Sequence, residues 1–357
     1  MNADMAVTVK DIADVLQISP ATVSLAINNR RGVSEKTRER VFEVAREMGY
    51  AKTTAAARVS AHTIQCVIFK QRATAGLDTS FFSKMMEGVE SRAGQNGGAL
   101  MLTYVNAEEN MTQRLETICA GATQGIILLA TELTPESITP FLSIRLPMVV
   151  LDAYFENLPL DCVTINNAQG AYMATSYLAQ QGHTEIGYLT SKVRTVNFSE
   201  RHEGFRKAFR HHKLVKKAEY SFRLTPSIEG ACADMKAALQ QHPNLPTAFF
   251  ADNDVIAAGA MRAFKEMGVR VPEDVSVVGF DDIPLCSSLD PPLTTVGVPK
   301  ERLGSLAMDR LYSKIEQAAR EPGPQAACEV DQHTASEFVK IEVGTTLVER
   351  ASVRSLL

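Results

Sequence analysis

From Ile64 onward, short apolar runs alternate with segments of helical periodicity, and this alternation restricts the chain to an α/β architecture. The apolar runs predict strands at Cys66–Phe69, Ala99–Tyr104, Gly125–Leu129, Pro147–Leu151, Glu185–Leu189, Thr247–Ala251 and Val275–Phe280. Helices are predicted between them, for example at Phe81–Gln95, Ala168–Gln181, Glu200–His211, Ile228–Gln241 and Asp254–Met267. Because such strands are apolar along their length, both faces of each sheet must be covered. The strands are too many for one open sheet of ordinary size, which predicts two α/β lobes.

Ahead of this body, the stretch Thr8–Asn28 predicts two short helices joined by a tight turn at Gln17 and Ile18. Thr8 and Ser19 are the expected N-caps. The predicted buried faces comprise Ile12, Ala13, Val15 and Leu16 in the first helix and Val23, Ala26 and Ile27 in the second. The other face of the second helix carries mostly small or polar side chains, namely Ala21, Thr22, Ser24, Leu25 and Asn28. Such a face can enter a DNA major groove, whereas an ordinary helical hairpin without nucleic acid is the alternative.

A third helix is predicted within GVSEKTRERVFEVAREMGY, with Ser34 as its cap and Val41, Phe42, Ala45 and Met48 on its buried face. Together with Thr8–Asn28 and the distant blocks VPEDVSVVGFDD and PPLTTVGVP, this stretch resembles the lac repressor/galactose repressor family of bacterial transcription regulators. The blocks follow the family order and extend the resemblance over nearly the whole chain. The resemblance implies an all-α helix-turn-helix headpiece and an α/β periplasmic-binding-protein-like body of two doubly wound parallel-sheet lobes.

The resemblance and the strand pattern together give the expected domain limits. Residues 1–50 form the headpiece, 51–63 a hinge, and 64–357 the effector-binding and dimerisation domain. The N-terminal lobe comprises about 64–162 plus 296–325, and the C-terminal lobe about 163–295 plus 326–357. Three crossing strands are expected, at Val163–Ile165, near Leu293–Val296 and near Ala326–Val330.

The hinge of the family folds on operator DNA and inserts an apolar side chain into the minor groove. By position this side chain is Val59. This chain departs from the usual family residues at Lys52, Thr53, Ala57 and Val59 itself, where the family has Pro, Asn, Arg and Leu. A smaller wedge should kink the duplex less, and a flexible linker without insertion is the alternative.

The resemblance implies a homodimer that places two headpieces in successive major grooves of operator DNA. Pro20, Ala21 and Leu25 are expected to face base edges. Leu25 stands where many family members carry Arg, and an apolar side chain cannot form a bidentate bond to guanine. The expected DNA-binding set also includes Ser19, Thr22, Ser24, Asn28, Ser34 and Tyr50, most of them as phosphate contacts.

Polar residues follow the predicted strands at their carboxyl ends, where ligands bind in α/β folds. This rule selects Asp78, Asp152 and the pairs Asn166 and Asn167, Asn253 and Asp254, and Asp281 and Asp282, of which Asp254 is more typical of a helix cap. The expected effector-binding residues among them are Asp78, Asp152, Asn166, Asn253 and Asp281. Carboxylates and amides match the hydroxyl groups of sugars. The resemblance adds Arg201 as the effector-binding arginine and Asn197 as a lining residue, while Phe81 or Phe82 supplies an apolar wall. The expected effector is a sugar or sugar derivative, with a purine or a protein coregulator as the alternatives.

Composition and motifs argue against other classes of protein. The chain has a net charge of −4, yet residues 1–63 carry nine Lys/Arg against seven Asp/Glu, which favours polyanion binding at that end. No secretory signal and no apolar run of about 20 residues is found, so a cytoplasmic protein without a membrane contact is expected rather than a periplasmic solute-binding protein. Catalytic motifs and metal-ligand spacings are absent from the sequence, so neither an enzyme nor a cofactor is expected.

Overall fold

The computed structural model describes residues 9–27, 33–48, 63–71, 79–121, 123–241, 244–320 and 338–357. Four predicted contact residues lie outside these ranges, namely Asn28, Tyr50, Val59 and Asp78, as do hinge residues 51–62 and the predicted crossing strand near Ala326–Val330. The chain divides into two compact units, residues 1–61 and 62–357.

The smaller unit contains three helices, α1 (Val9–Leu16), α2 (Pro20–Ile27) and α3 (Glu35–Glu47). The turn after α1 places Gln17 at a φ of 53°, and the Ile18 N–H donates to the Ala13 oxygen at 3.1 Å, which closes the helix end. The Ser19 hydroxyl accepts from the Thr22 N–H at 3.1 Å, and the Ser34 hydroxyl accepts from the Thr37 N–H at 3.2 Å. The predicted turn and these two predicted caps are confirmed.

The core of this unit is formed by six buried side chains, which are Ile12, Ala13, Val23, Ala26, Val41 and Ala45. Most of the predicted α1 face is confirmed, but the placement of Val15 is wrong, because its side chain is 58% exposed. On a helix, Ile12, Ala13 and Leu16 share one stripe, and Val15 lies about 100° away from the middle of it. The Arg38 guanidinium donates to the Ala26 oxygen at 3.0 Å and ties α3 to the end of α2.

The larger unit alternates strands and helices as predicted. Its strands are β1 (Thr63–Lys70), β2 (Ala99–Asn106), β3 (Thr123–Leu129), β4 (Met148–Leu151), β5 (Cys162–Ile165), β6 (Ile186–Ser191), β7 (Ser221–Leu224), β8 (Ala248–Ala251), β9 (Ser276–Val278), β10 (Thr295–Gly297), β11 (Lys340–Val343) and β12 (Thr346–Val348). Its helices are α4 (Thr79–Gln95), α5 (Met111–Cys119), α6 (Asn167–Gln180), α7 (Val196–His211), α8 (Ile228–Gln241), α9 (Asp254–Glu266) and α10 (Lys300–Arg320).

Two parallel sheets organise this unit. The first has six strands in the order β11-β5-β4-β3-β1-β2, and the second has four in the order β7-β6-β8-β9. In β1, Cys66 and Ile68 belong to one buried cluster, whereas Val67 and Phe69 belong to another. Since alternate residues point to opposite faces, this pattern confirms that the sheet is covered on both sides.

Strand pairing corrects the predicted lobe limits at two places. The sequence assigned Val163–Ile165 and the segment after residue 326 to the second lobe. In the structure β11 pairs with β5, with Ile341 opposite Val163, and β5 pairs with β4. Both strands therefore belong to the first sheet, and the chain leaves that sheet only after Ile165 and after Val343.

The described residues show no helix with the length and apolarity that a membrane span requires. They also contain no group of three or more His, Cys, Asp or Glu side chains placed to hold a metal ion. The cysteines Cys66, Cys162, Cys232 and Cys286 are buried free thiols, and Cys119 is a half-buried one. Cys328 lies outside the described residues.

Candidate functional sites

In the larger unit, four strand ends bring polar side chains together. Asp152 follows β4, Asn167 follows β5 by two residues, and Asp252 follows β8. Asp281 comes three residues after β9. Because both sheets are parallel, these side chains lie at the carboxyl edges, where the fold places ligand sites.

Arg201 on α7 lies at the centre of this cluster, and its side chain is only 4% exposed. Its Nε donates to Asn167 Oδ1 at 2.9 Å, one terminal nitrogen donates to the Asp252 backbone oxygen, and the other meets Asp281 Oδ1 at 3.0 Å. The guanidinium carbon lies 3.7 Å from the centroid of the Phe280 ring. Three hydrogen-bonded acceptors and one stacked ring fix the guanidinium plane.

The close approach of α6 and α7 makes these contacts possible. A Cβ atom on Gly204 would lie 2.2 Å from the Ala168 backbone oxygen, so only glycine fits at this crossing. Since Gly204 is one helical turn beyond Arg201, the tight contact sets the distance between Arg201 and the start of α6. Asn167, the first residue of α6, is the residue that Arg201 contacts there.

A chain of amides connects the two lobes across the cleft. The Asn197 amide donates to Asp152 Oδ1 at 3.2 Å and to the Asp152 backbone oxygen at 3.1 Å. The Asn167 amide donates to Asn197 Oδ1 at 3.2 Å and to Glu200 Oε2 at 2.9 Å. Asp152 also accepts from the Thr131 hydroxyl at 2.5 Å. The strand end of the first sheet is therefore hydrogen-bonded to α7 of the second lobe.

The electrostatics of this cluster are dominated by buried carboxyl groups. Burial raises the pKa of Asp152 to about 7, against the opposing effects of its bond from Thr131 and the charge of Arg201. Burial also raises the pKa of Asp252 to about 6, although Tyr188, Thr190 and the Ser191 N–H all donate to it. The pKa of Glu200 is likewise raised by burial. The cluster therefore places several buried carboxyl groups, each with a raised pKa, beside one guanidinium.

Two aspartates of this cluster, and the residue after one of them, have a positive φ angle. Asp152 has a φ of 65°, Asp281 of 110° and Asp282 of 52°. These left-handed conformations are uncommon for residues other than glycine and cluster at ligand sites. The Asp281 N–H donates to the Val296 oxygen at 2.9 Å, and Lys300 donates to the backbone oxygens of Asp281 and Asp282. These bonds hold the loop in its conformation.

The structure brings Asp152, Asn197, Arg201 and Asp281 together but gives other predicted residues different places. Asn166 caps α6 through the Gln169 N–H, and Asn253 caps α9 through the Ile256 N–H, each at 3.0 Å. Their side-chain oxygens are thus used by the helices. Phe81 is a buried core residue whose ring meets that of Phe82 edge-on at 5.4 Å between centroids.

The strand-end rule selected Asn166 and Asn167 together but only Asn166 was expected to bind the effector, and Asp252 was not selected at all. Asn167 and not Asn166 carries the amide network, and Asp252 supplies the backbone oxygen that Arg201 contacts. Asp252 stands directly beside Asn253, which the strand-end rule selected. A rule that gives the strand end within one residue cannot tell which neighbour points inward, because this depends on where the helix cap falls.

Asp254 forms hydrogen bonds to two segments next to the site. It is buried and accepts from the Thr295 hydroxyl at 2.5 Å and from the Ile283 N–H at 3.1 Å. Burial raises its pKa to about 7, and the nearby charge of Asp281 adds to this effect. The sequence suggested a helix cap for this residue, but the cap of α9 is Asn253.

Three of the residues predicted to contact DNA are exposed in the headpiece, as a DNA contact requires. Ser19, Pro20 and Ser34 are exposed, whereas Thr22 and Leu25 are half-buried. Ser19 and Ser34 also cap their helices. Ala21 and Ser24 belong to α2.

A helix-turn-helix unit joined to a two-sheet body with a polar cleft defines a bacterial DNA-binding regulator. Residues 8–52 match the family of bacterial regulatory proteins of the lacI type, and residues 175–353 match the periplasmic binding protein-like domain. The chain belongs to the lacI family of bacterial regulatory proteins. It is accordingly a DNA-binding repressor of transcription and not an enzyme.

Relatives over most of the chain support this assignment. The ribose operon repressor of Haemophilus influenzae is 32% identical over 310 residues, covering 87% of this chain and 92% of the relative. The HTH-type transcriptional repressor PurR of Vibrio cholerae is 33% identical over 319 residues, covering 88% and 93%. The structure of the lac repressor dimer bound to operator and the anti-inducer ONPF has a TM-score of 0.70 at 24% identity, covering 98% and 100%. The predicted fold class is confirmed.

Proposed function

We propose that this repressor is controlled by a small carbohydrate bound in the cleft at Arg201. The supporting observation is the cluster of carboxyl and amide groups around a single guanidinium at the carboxyl ends of the strands, where sugar hydroxyls can replace the internal hydrogen-bond partners. A purine needs aromatic faces for stacking, and the Phe280 ring is already covered by Arg201. One relative is a ribose operon repressor, and one similar structure is a transcriptional regulator CelR–cellobiose complex, with a TM-score of 0.69 at 24% identity.

The amide chain between the lobes suggests how such an effector acts. A ligand that contacts Asp152 in the first lobe and Arg201 in the second replaces or reinforces the Asn197 bond between them. It thereby favours one arrangement of the two lobes. The resulting change in operator affinity cannot exceed the difference in effector affinity between the two arrangements.

A thermal-shift screen tests the effector class. D-ribose, cellobiose, hypoxanthine and guanine are added to the full chain, and a bound sugar is expected to raise the melting temperature by mass action. Asn197→Ala should abolish the rise, whereas Arg210→Ala, at an exposed position in the last turn of the same helix, should retain it. A response to purines alone would replace the carbohydrate proposal. A response to none of them would favour the protein coregulator.

Leu25 is proposed to face the bases from α2, together with Pro20 and Ala21. Leu25→Arg introduces a donor pair that can bind guanine, so we expect a preference for a G·C pair of about 1–3 kcal/mol at one position of each half-site. Selection from randomised operators measures it. Arg40→Lys, at an exposed position of α3, serves as the control. Identical selected sites for Leu25→Arg and the parent would remove Leu25 from the reading face.

The remaining predicted DNA contacts belong to the same proposal. They are Ser19, Thr22, Ser24, Asn28, Ser34 and Tyr50, with Val59 as the minor-groove wedge. The expected domain limits of headpiece and hinge are part of it as well.

The edge strand β2 is proposed to contribute to a homodimer. It ends the first sheet and exposes three large apolar side chains, Met101, Leu102 and Tyr104, which are 55%, 50% and 51% exposed. An exposed apolar edge strand in a native protein indicates a contact surface. Leu102→Lys is expected to shift the protein toward monomer in sedimentation experiments. Leu142→Lys, at another exposed leucine, should leave the dimer intact. Unchanged sedimentation of Leu102→Lys would exclude this strand from the interface.

A further inference from the structure

A cavity lies in the C-terminal lobe, beside the end of β6. Its volume is about 460 Å³, and it is lined by residues from four segments: the end of β6, the loop between β6 and α7, the start of α7, and β7. The polar lining includes Thr190, Arg194, Ser199, His202 and Arg223. The cavity is large enough for a small phosphorylated metabolite.

The charges around this cavity are predominantly positive. Among the described residues, no acceptor lies within hydrogen-bond distance of the Arg194 guanidinium, and the Arg223 guanidinium has one weak contact, at 3.4 Å to the Lys192 backbone oxygen. The Lys216 ammonium lies 3.3 Å from His202 Nε2. Burial lowers the pKa of His202, the charges of Lys216 and Arg206 lower it further, and the charge of Glu203 opposes these effects.

The acids near the cavity are already paired. Glu203 on the lining forms an ion pair with Arg206 at 2.9 Å. Asp234 forms one with Lys192 at 2.6 Å and accepts twice from Thr225. Within the part of the chain that the structure describes, neither arginine that lines the cavity is paired with a carboxylate.

We propose that this cavity is a binding site for the phosphomonoester group of a small molecule, separate from the cleft at Arg201. Two guanidinium forks can each bind a phosphate through two parallel hydrogen bonds, and the Ser199 hydroxyl and the His202 imidazole lie on the same wall. The cavity also adjoins the first turn of the 16-residue helix α7, whose N-terminus favours anions.

The site is connected to the cleft through Asp252. The Thr190 hydroxyl and the Ser191 N–H, both on the cavity wall, donate to the Asp252 carboxylate at 2.9 and 2.7 Å. Arg201 donates to the backbone oxygen of the same residue. His202 stacks on Tyr188 at 5.2 Å between centroids, and the Tyr188 hydroxyl also donates to Asp252. If phosphate binding alters these contacts, it changes the affinity of the cleft for its ligand, and the cleft ligand changes phosphate affinity by the same factor.

Calorimetric titration of the full chain tests the proposal, with inorganic phosphate and D-ribose 5-phosphate as probes and D-ribose as the unphosphorylated control. We expect saturable binding of both phosphates. The double variant Arg194→Gln/Arg223→Gln should weaken it at least about tenfold. Arg210→Gln removes an exposed arginine from the last turn of the same helix and should leave it unchanged.

A second readout follows the His202 ring by NMR, with His202→Gln identifying its signal. A bound phosphate should raise the pKa of this imidazole, because an anion favours the protonated ring. Unaltered titration of His202 in saturating phosphate would contradict the proposal.

Other outcomes also reject a second site. No saturable heat with either phosphate at millimolar concentration would do so, as would equal binding by the double variant. Binding of D-ribose 5-phosphate that is lost in Asn197→Ala but kept in the double variant would assign the phosphate to the cleft ligand. The carbohydrate proposal is tested separately by the unphosphorylated sugars, so the two can fail independently.

Discussion

Arg201→Ala is expected to lower the free energy of unfolding of the larger unit by about 3–5 kcal/mol, because it leaves buried acceptors without their partner. The Asp281 carboxylate loses its ion pair, and Asn167 Oδ1 and the Asp252 oxygen each lose a donor. Phe280 also loses the cation that lies 3.7 Å from its centroid. Arg201 is thus expected to be essential for the fold of the cleft as well as for effector binding.

Urea denaturation followed by circular dichroism measures this loss. Arg206→Ala is the matched control, since Arg206 lies on the same helix with its side chain 50% exposed and an i,i+3 partner in Glu203. Its cost should stay below about 1 kcal/mol. Arg201→Lys keeps the charge without the planar fork and should fall between the two. A loss in Arg201→Ala no greater than in the control would show that the buried network contributes little.

The three buried aspartates Asp152, Asp252 and Asp254 are expected to stabilise the larger unit less as the pH rises from about 4 to about 7. Burial raises the pKa of Asp152 and Asp254 to about 7 and that of Asp252 to about 6, whereas each would titrate near 3.8 without these contacts. The folded protein therefore holds these protons more tightly than the unfolded chain. The resulting stabilisation is complete below the unfolded pKa and is lost as the pH passes the folded pKa values.

Asp152→Asn removes one of these ionisations and should flatten the profile. We expect the variant to gain roughly 1–4 kcal/mol relative to the parent between about pH 4 and pH 8. Melting temperatures across this range provide the measurement. Asp290→Asn is the control, because the Asp290 side chain is 89% exposed. Parallel profiles for the parent and Asp152→Asn would mean that Asp152 stays ionised throughout.

The pattern of apolar residues was sufficient to predict those strands that are buried on both faces. Continuous apolar runs such as Gly125–Leu129 and Thr247–Ala251 became central strands, because a parallel sheet covered on both faces demands this composition. The strand β7 was not predicted, since only its alternate residues Phe222 and Leu224 are buried. β11, which is half-exposed, was missed for a similar reason.

The candidate site was predictable to within one residue. Arg201, Asp281, Asp152 and Asn197 were selected and lie together, with Arg201 bonded to Asp281 and Asn197 to Asp152. Asn166 and Asn253 instead cap helices, and the neighbours Asn167 and Asp252 contact Arg201. Which residue becomes the cap depends on the exact start of each helix, and sequence patterns do not determine this start.

The left-handed backbone at Asp152 and Asp281 limits how this cleft can diverge among related regulators. Only glycine, asparagine and aspartate adopt such a conformation at low cost. These two positions can exchange a carboxylate for an amide or for no side chain, but they cannot accept bulk. A lineage that acquires a new ligand must therefore change its contacts on the helical wall, at positions such as Asn197 and Glu200, where the backbone imposes no such restriction.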